Sequence, residues 1–146
     1  MSKSTELMTA TYVAAFVGAR APLAVNTELI AKMVRVHPSR TRKIVSKLVK
    51  ADILKSIRGG NGGISLARSA DEITLAEIYD AIQENSILNL GLHNPFSDWG
   101  DHCFVHKVFE EIHSNLEGKM RADLSNILLI DMFVPWAPPE HKSKEK

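Results

Sequence analysis

Gly59-Gly60-Asn61-Gly62-Gly63 lies between two short runs of strand-forming character, Ile53 to Arg58 and Ile64 to Arg68. Glycine adopts the backbone angles of a tight reversal at no steric cost, so the pattern predicts a β-hairpin. A glycine-rich loop can also cradle a phosphate, but that use needs a following Gly-Lys-Ser/Thr that opens a helix. Here the next run alternates like a strand instead. A strongly basic helical segment stands directly before the hairpin and narrows the architecture further.

Leu7, Tyr12, Val13, Phe16 and Val17, among small residues up to Gly18, predict a first helix ended by Arg20-Ala21-Pro22. Asn26 is the expected N-cap of a short second helix in which Leu29, Ile30 and Met33 share a face. Val36-His37-Pro38-Ser39 then reads as a turn into a third helix, with proline at the first helical position, where a missing N–H costs nothing. This helix runs to about Ala51. Ile44, Val45, Leu48 and Val49 form its apolar stripe, while Ser39, Arg40, Arg42, Lys43, Ser46, Lys47 and Lys50 project elsewhere. Two short helices joined by a tight turn, the second strongly basic, make a helix-turn-helix, and the hairpin that follows makes it winged. Arg58 and Arg68 are expected at the base of the wing. Arginine beside flexible glycine backbone suits a minor groove.

The net charge of +1 hides a segregation. From Lys32 to Arg68 ten basic residues face one acid, Asp52, whereas from Ser69 to Asp131 twelve acids face Lys107, Lys119 and Arg121. Such asymmetry is expected when one segment meets a polyanion. A length of 146 residues suits one globular domain. The longest apolar run, Ile127 to Ile130, is broken by Asp131 and is far shorter than the ~20 residues of a membrane span. The opening MSKSTELMT has no secretory pattern, so the expected compartment is the cytoplasm. One cysteine, Cys103, makes no internal disulfide and cannot supply a structural zinc site.

Thr74-Leu75-Ala76-Glu77 is a capping box, with Ile73 and Ile78 as its hydrophobic staple, and opens a fourth helix running to about Glu84. A loop follows, containing Gly91, Asn94, Pro95, Ser97, Asp98 and Gly100, and its length makes it a candidate functional segment. A fifth helix from about Asp101 to Asp123 carries the apolar face Phe104, Val105, Val108, Phe109, Ile112, Leu116 and Met120. One small winged module cannot cover so long a stripe, so a second copy in a twofold dimer is expected, with an intramolecular bundle as the alternative. Leu124, Ile127, Leu128 and Ile130 suggest a last short helix, and Pro135 to Lys146 a frayed tail in which Trp136 can still pack. The expected fold is mainly α with a small β-hairpin. The winged helix-turn-helix occupies 1–85, a sensor-type loop 86–102, the dimerisation and final helices 103–134, and the tail 135–146.

These residues resemble the Rrf-two family of bacterial winged-helix regulators. The resemblance rests on Val36-His37-Pro38, on Ser46-Lys47-Leu48-Val49-Lys50-Ala51-Asp52-Ile53-Leu54, on Ser56-Ile57-Arg58 with the glycine loop, on Leu66-Ala67-Arg68, and on Asp71-Glu72-Ile73-Thr74-Leu75. It covers roughly residues 5 to 130. It implies a homodimer crossed through the long helix that binds a near-palindromic operator and usually represses transcription. The chain departs from the family at Arg40, Arg42 and Lys43, where tyrosine, glutamate and glutamine are usual, so the family's operator does not carry over. Asp52 replaces a usual glycine, and Ile64 a common aromatic. Cluster-bearing members have three cysteines before the long helix. Cys103 matches the last, but Ser97 and Gly91 stand near the other two positions, so no iron–sulfur cluster is expected.

Cys103, near a helix N-terminus that favours thiolate, is the possible sensor, with His102 and His106 as neighbours. His102, His106, Glu110 and His113, with His93 from the loop, fall at spacings a metal could use, but a polar face opposite the dimer seam is the favoured reading and no metal is expected. A third expectation is a small effector held between the winged module and the long helix, which nothing in the sequence identifies. An enzyme would need more than the Cys103–His106 pair, which has no acidic orienter or oxyanion loop. The expected function is therefore a homodimeric regulator binding double-stranded DNA, with a winged protein-interaction module as the rival. Ser39, Arg40, Arg42 and Lys43 are expected nearest the bases and Thr41, Lys47 and Lys50 nearest the phosphates. Arg58, Gly59, Gly60, Asn61 and Gly62 are expected in the minor groove.

Overall fold

The structure, a computed structural model, describes residues 3–83 and 104–133. The expected sensor loop 86–102, His93, His102, Cys103 and the tail with Trp136 lie outside the described residues.

Helix α1 (Lys3–Ala19) buries a face of small side chains, Ala10, Val13, Ala14 and Val17, over which other elements can approach closely. Tyr12 is exposed, and Leu7 and Phe16 pack at the edge of that face. Helix α2 (Thr27–Val34) begins as expected at Asn26, whose side-chain oxygen accepts from Leu29 N–H at 2.7 Å. It stops because Arg35 turns left-handed, φ 55°, and Val36 N–H closes back on Ala31 C=O at 3.2 Å. Helix α3 (Pro38–Lys50) follows with His37 as N-cap and Pro38 at its start. It ends in a Schellman motif, in which Asp52 N–H donates to Val49 C=O and Ile53 N–H to Leu48 C=O. That reversal requires a left-handed residue, and Asp52 supplies it at φ 57°.

Strands β1 (Leu54–Ile57) and β2 (Gly63–Leu66) form the predicted antiparallel hairpin, with Leu54 opposite Leu66 and Ile57 opposite Gly63. A bridge absent from the sequence reading joins Val25 to Ile64 through two backbone hydrogen bonds of 2.8 Å. It makes a glycine necessary at Gly63, where φ is +150° and a Cβ would lie 2.7 Å from the Val25 carbonyl oxygen.

Helix α4 (Leu75–Ile82) opens on the expected capping box. Thr74 Oγ1 accepts from Glu77 N–H at 3.2 Å, and Glu77 Oε2 accepts from Thr74 N–H at 2.8 Å. Helix α5 (Phe104–Ser125) docks its C-terminal half on α4. Tyr79 Oη donates to Glu117 Oε1 at 2.7 Å, and Arg121 pairs with Asp80 at 2.6 Å. The chain then returns to the winged module. Leu75 N–H donates to Ile127 C=O and Leu129 N–H to Ile73 C=O, and a short 3-10 helix (Leu129–Met132) follows. Leu124, expected in the last helix, belongs to α5. The final segment packs with the winged module and not apart from it, since Leu129 is fully buried in the cluster of Val13, Ile30, Leu48, Ile53, Ile73 and Ile78. Among the described residues, no helix is long and apolar enough to cross a membrane.

Candidate nucleic-acid interface

Helix α3 is split along its length by its 3.6-residue period. Ile44, Val45 and Leu48 enter the core, whereas Ser39, Arg40, Arg42, Lys43, Ser46 and Lys50 are exposed. Burial of the apolar stripe thus fixes the rotation of the helix and presents the cationic side outward. His37 caps the helix, its Nδ1 accepting from Ser39 N–H at 3.2 Å.

Two residues expected at the phosphates are turned inward. Thr41 is fully buried, and its hydroxyl donates to the carbonyls of Val36 and His37, which ties the turn to the first coil of α3. Lys47 reaches across the core edge to Glu6 Oε1 at 3.0 Å and to Ile82 C=O at 3.2 Å, joining α3 to α1 and α4. Both corrections have a signal in the sequence, because each residue stands three positions from Ile44 and so shares the side of the stripe.

In the wing, Arg58 follows β1 and is exposed with Gly59, Gly60 and Asn61 in the loop, not at the base, while Gly62 is half-buried. Arg68 does stand at the base, but its side chain is committed. Nε donates to Asp52 C=O at 3.1 Å, Nη1 to Glu72 C=O at 3.4 Å, and Nη2 to Glu77 Oε1 at 2.8 Å. Arg68 is therefore a clamp between segments and not a groove contact. Partial burial pushes the Glu77 carboxyl upward, but hydrogen bonds from Thr74 N–H, the Arg68 guanidinium and the Thr74 hydroxyl, with the Arg68 charge, hold it below its usual value. Lys32, Arg35 and Lys55 are exposed cations that the sequence reading left unassigned, although each was part of the basic run.

Helix α5 has no buried residue. Phe104 and Val105 are 72% and 71% exposed, Val108, Phe109, Ile112 and Leu116 are exposed too, and Met120 is half-buried. His106 pairs with Glu110 at 3.2 Å and His113 with Glu117 at 3.8 Å. Among the described residues, no three potential metal ligands cluster. Two open apolar grooves flank Tyr12 on α1, one lined by Phe16, Met33 and Phe133 and the other by Met8, Leu75 and Met132. Neither is lined by a described residue of α5, so neither matches an effector site between the winged module and the long helix.

A family model named Rrf2, described as an iron-dependent transcriptional regulator, matches residues 3–133. The chain belongs to the Rrf2 family. It is 31% identical to the HTH-type transcriptional regulator NsrR of Geobacillus kaustophilus over 124 residues, which are 83% of this chain and 81% of that one. It is 29% identical to YwgB of Bacillus subtilis over 100 residues, 67% of this chain and 64% of YwgB, and so spans just under two thirds of that relative. One crystal structure is similar with a TM-score of 0.68 and 27% identity, over 87% of this chain and 97% of that one. Rrf2 members are transcriptional regulators and not enzymes, and this chain is a winged-helix transcriptional regulator of that family.

Proposed function

We propose that this Rrf2 protein is a homodimeric, sequence-specific repressor of a near-palindromic operator and works without an iron–sulfur cluster. The observation that carries the reading is the divided helix α3, whose buried stripe sets Ser39, Arg40, Arg42, Lys43 and Lys50 outward. In a major groove the N-terminal residues of such a helix meet base edges. Arginine and lysine favour guanine O6 and N7, so each half-site contains a guanine read by Arg42 or Lys43. Lys50 meets phosphate, and Arg58 with its glycine loop follows the adjacent minor groove.

The dimer is supported by α5. Its apolar row from Phe104 to Leu116 is exposed and too long for the module to cover, and a second copy supplies an identical row about a twofold axis. The cluster-free reading is supported by the donor set. An iron–sulfur cluster takes thiolates with occasional histidine, and the chain has one cysteine. His37 is committed as a cap, and His106 and His113 face glutamates. Among the described residues, these side chains do not supply the ligand set of an iron–sulfur cluster.

Selection of bound sequences from random duplex DNA by the purified chain, repeated with oxidant and with zinc, tests the proposal. An inverted repeat with half-sites about one or two helical turns apart, bound by a sedimenting dimer, supports it. Recovery of no motif by a monomer overturns it. Control by oxidant would move the sensing role to Cys103.

A further inference from the structure

The hydrogen bonds at the start of α3 leave His37 and Ser39 with a fixed polarity. His37 Nδ1 accepts from Ser39 N–H at 3.2 Å, so that nitrogen carries no proton. The Ser39 hydroxyl lies 2.7 Å from the same Nδ1. With no proton on the nitrogen, the hydrogen of that contact belongs to the serine, which leaves the hydroxyl oxygen of the exposed Ser39 with lone pairs alone. Both residues are exposed. No backbone group competes with them at this end of the helix. Pro38 has no N–H, and the N–H groups of Arg40 and Thr41 both donate to His37 C=O at 3.0 Å.

An outward acceptor at Ser39 meets an amino group on a base edge in the major groove. Adenine presents the N6 amino donor next to the N7 acceptor, guanine presents two acceptors, and an unconstrained serine would suit either. We infer that His37 is a positioning residue that holds Ser39 as an obligate acceptor, so that the serine hydroxyl selects adenine over guanine at one base pair of each half-site. The inference rests on the DNA-binding reading of α3 but concerns a different base pair from the guanine assigned to Arg42 or Lys43.

The test is selection from random duplex DNA by the full chain and by the variants Ser39→Ala and His37→Ala, with thermal melting of each. The wild type is expected to prefer adenine over guanine at one position by roughly five- to hundredfold. Ser39→Ala should abolish that preference there alone. His37→Ala should relax it at the same position although Ser39 is intact, because the hydroxyl is then free to donate or accept. Should His37→Ala melt too early to be used, His37→Val relaxes the hydroxyl in the same way while filling more of the ring's place. A purely structural role for His37 would lower melting and affinity without changing base preference at one position, and that result overturns the inference. So does a wild-type motif with no adenine preference that depends on Ser39. If the wild type yields no motif, the DNA-binding reading falls with it, whereas a motif insensitive to His37 removes only this inference.

Discussion

Arg68 Nη2 stands 2.8 Å from Glu77 Oε1, and the same guanidinium donates to the carbonyls of Asp52 and Glu72. One side chain thus ties the end of α3, the loop before α4 and the first turn of α4 together. Glu77 serves two structures at once, since its other oxygen closes the capping box.

That arrangement predicts a pH dependence. The Glu77 carboxyl is held below its usual value near 4.5, so the folded state favours the ionised form more than the unfolded chain does. The stabilisation is fully present above the unfolded value and is lost as pH falls through the lower folded one. In acid titrations of melting temperature, Glu77→Gln should be less stable than wild type at pH 7, and the gap should narrow below about pH 4.5. A gap constant across that range would show that the carboxylate charge contributes nothing.

Asp52 occupies the left-handed position of the Schellman motif, where a side chain costs up to about 1–2 kcal/mol and glycine costs little. Asp52→Gly keeps the carbonyl that Arg68 uses. It should stabilise the chain by about 0.5–1 kcal/mol in denaturant unfolding, with part of the gain offset by greater freedom of the unfolded chain. An unchanged or lower midpoint would mean that the aspartate side chain compensates locally.

Gly63 is the opposite case. A methyl there would meet the Val25 carbonyl at 2.7 Å in a backbone conformation that L residues rarely adopt. Gly63→Ala should cost about 2 kcal/mol or more, through strain and loss of the Val25–Ile64 bridge. Hydrogen exchange should show the amides of Val25 and Ile64 opening first.

The features visible in the sequence were those that neighbours decide. Thr74 and Glu77 cap within one turn, Asn26 caps α2, Pro38 starts α3, and the glycine run sets the hairpin, all by local chemistry. What stayed hidden depends on segments that meet only after folding. Lys47 finds Glu6 across 41 positions, and Val25 pairs with Ile64 across the start of α2 and α3. Arg68 carries the same charge as Arg58 and flanks the same glycine loop, yet one is clamped and the other exposed. Composition cannot separate them, because the difference lies in whether a carboxylate arrives from α4.

The same distinction gives a test of the interface that requires no knowledge of the operator. Each Lys or Arg that neutralises a phosphate contributes about one to the slope of log affinity against log salt concentration, whereas a cation paired within the protein contributes none. Lys50 is exposed, while Lys47, one turn earlier, is bonded to Glu6 and to the Ile82 carbonyl. Lys50→Ala should therefore lower the slope by roughly 1 per protomer on any duplex, with little change in melting. Lys47→Ala should leave the slope unchanged and lower stability, because the carbonyl and the carboxylate both lose a donor. Arg42→Ala should differ from both, reducing discrimination at one base pair by ~1–3 kcal/mol while random-sequence binding falls much less. Equal slope changes for Lys47→Ala and Lys50→Ala would mean that α3 meets DNA in another orientation, with its Glu6-paired side released on binding.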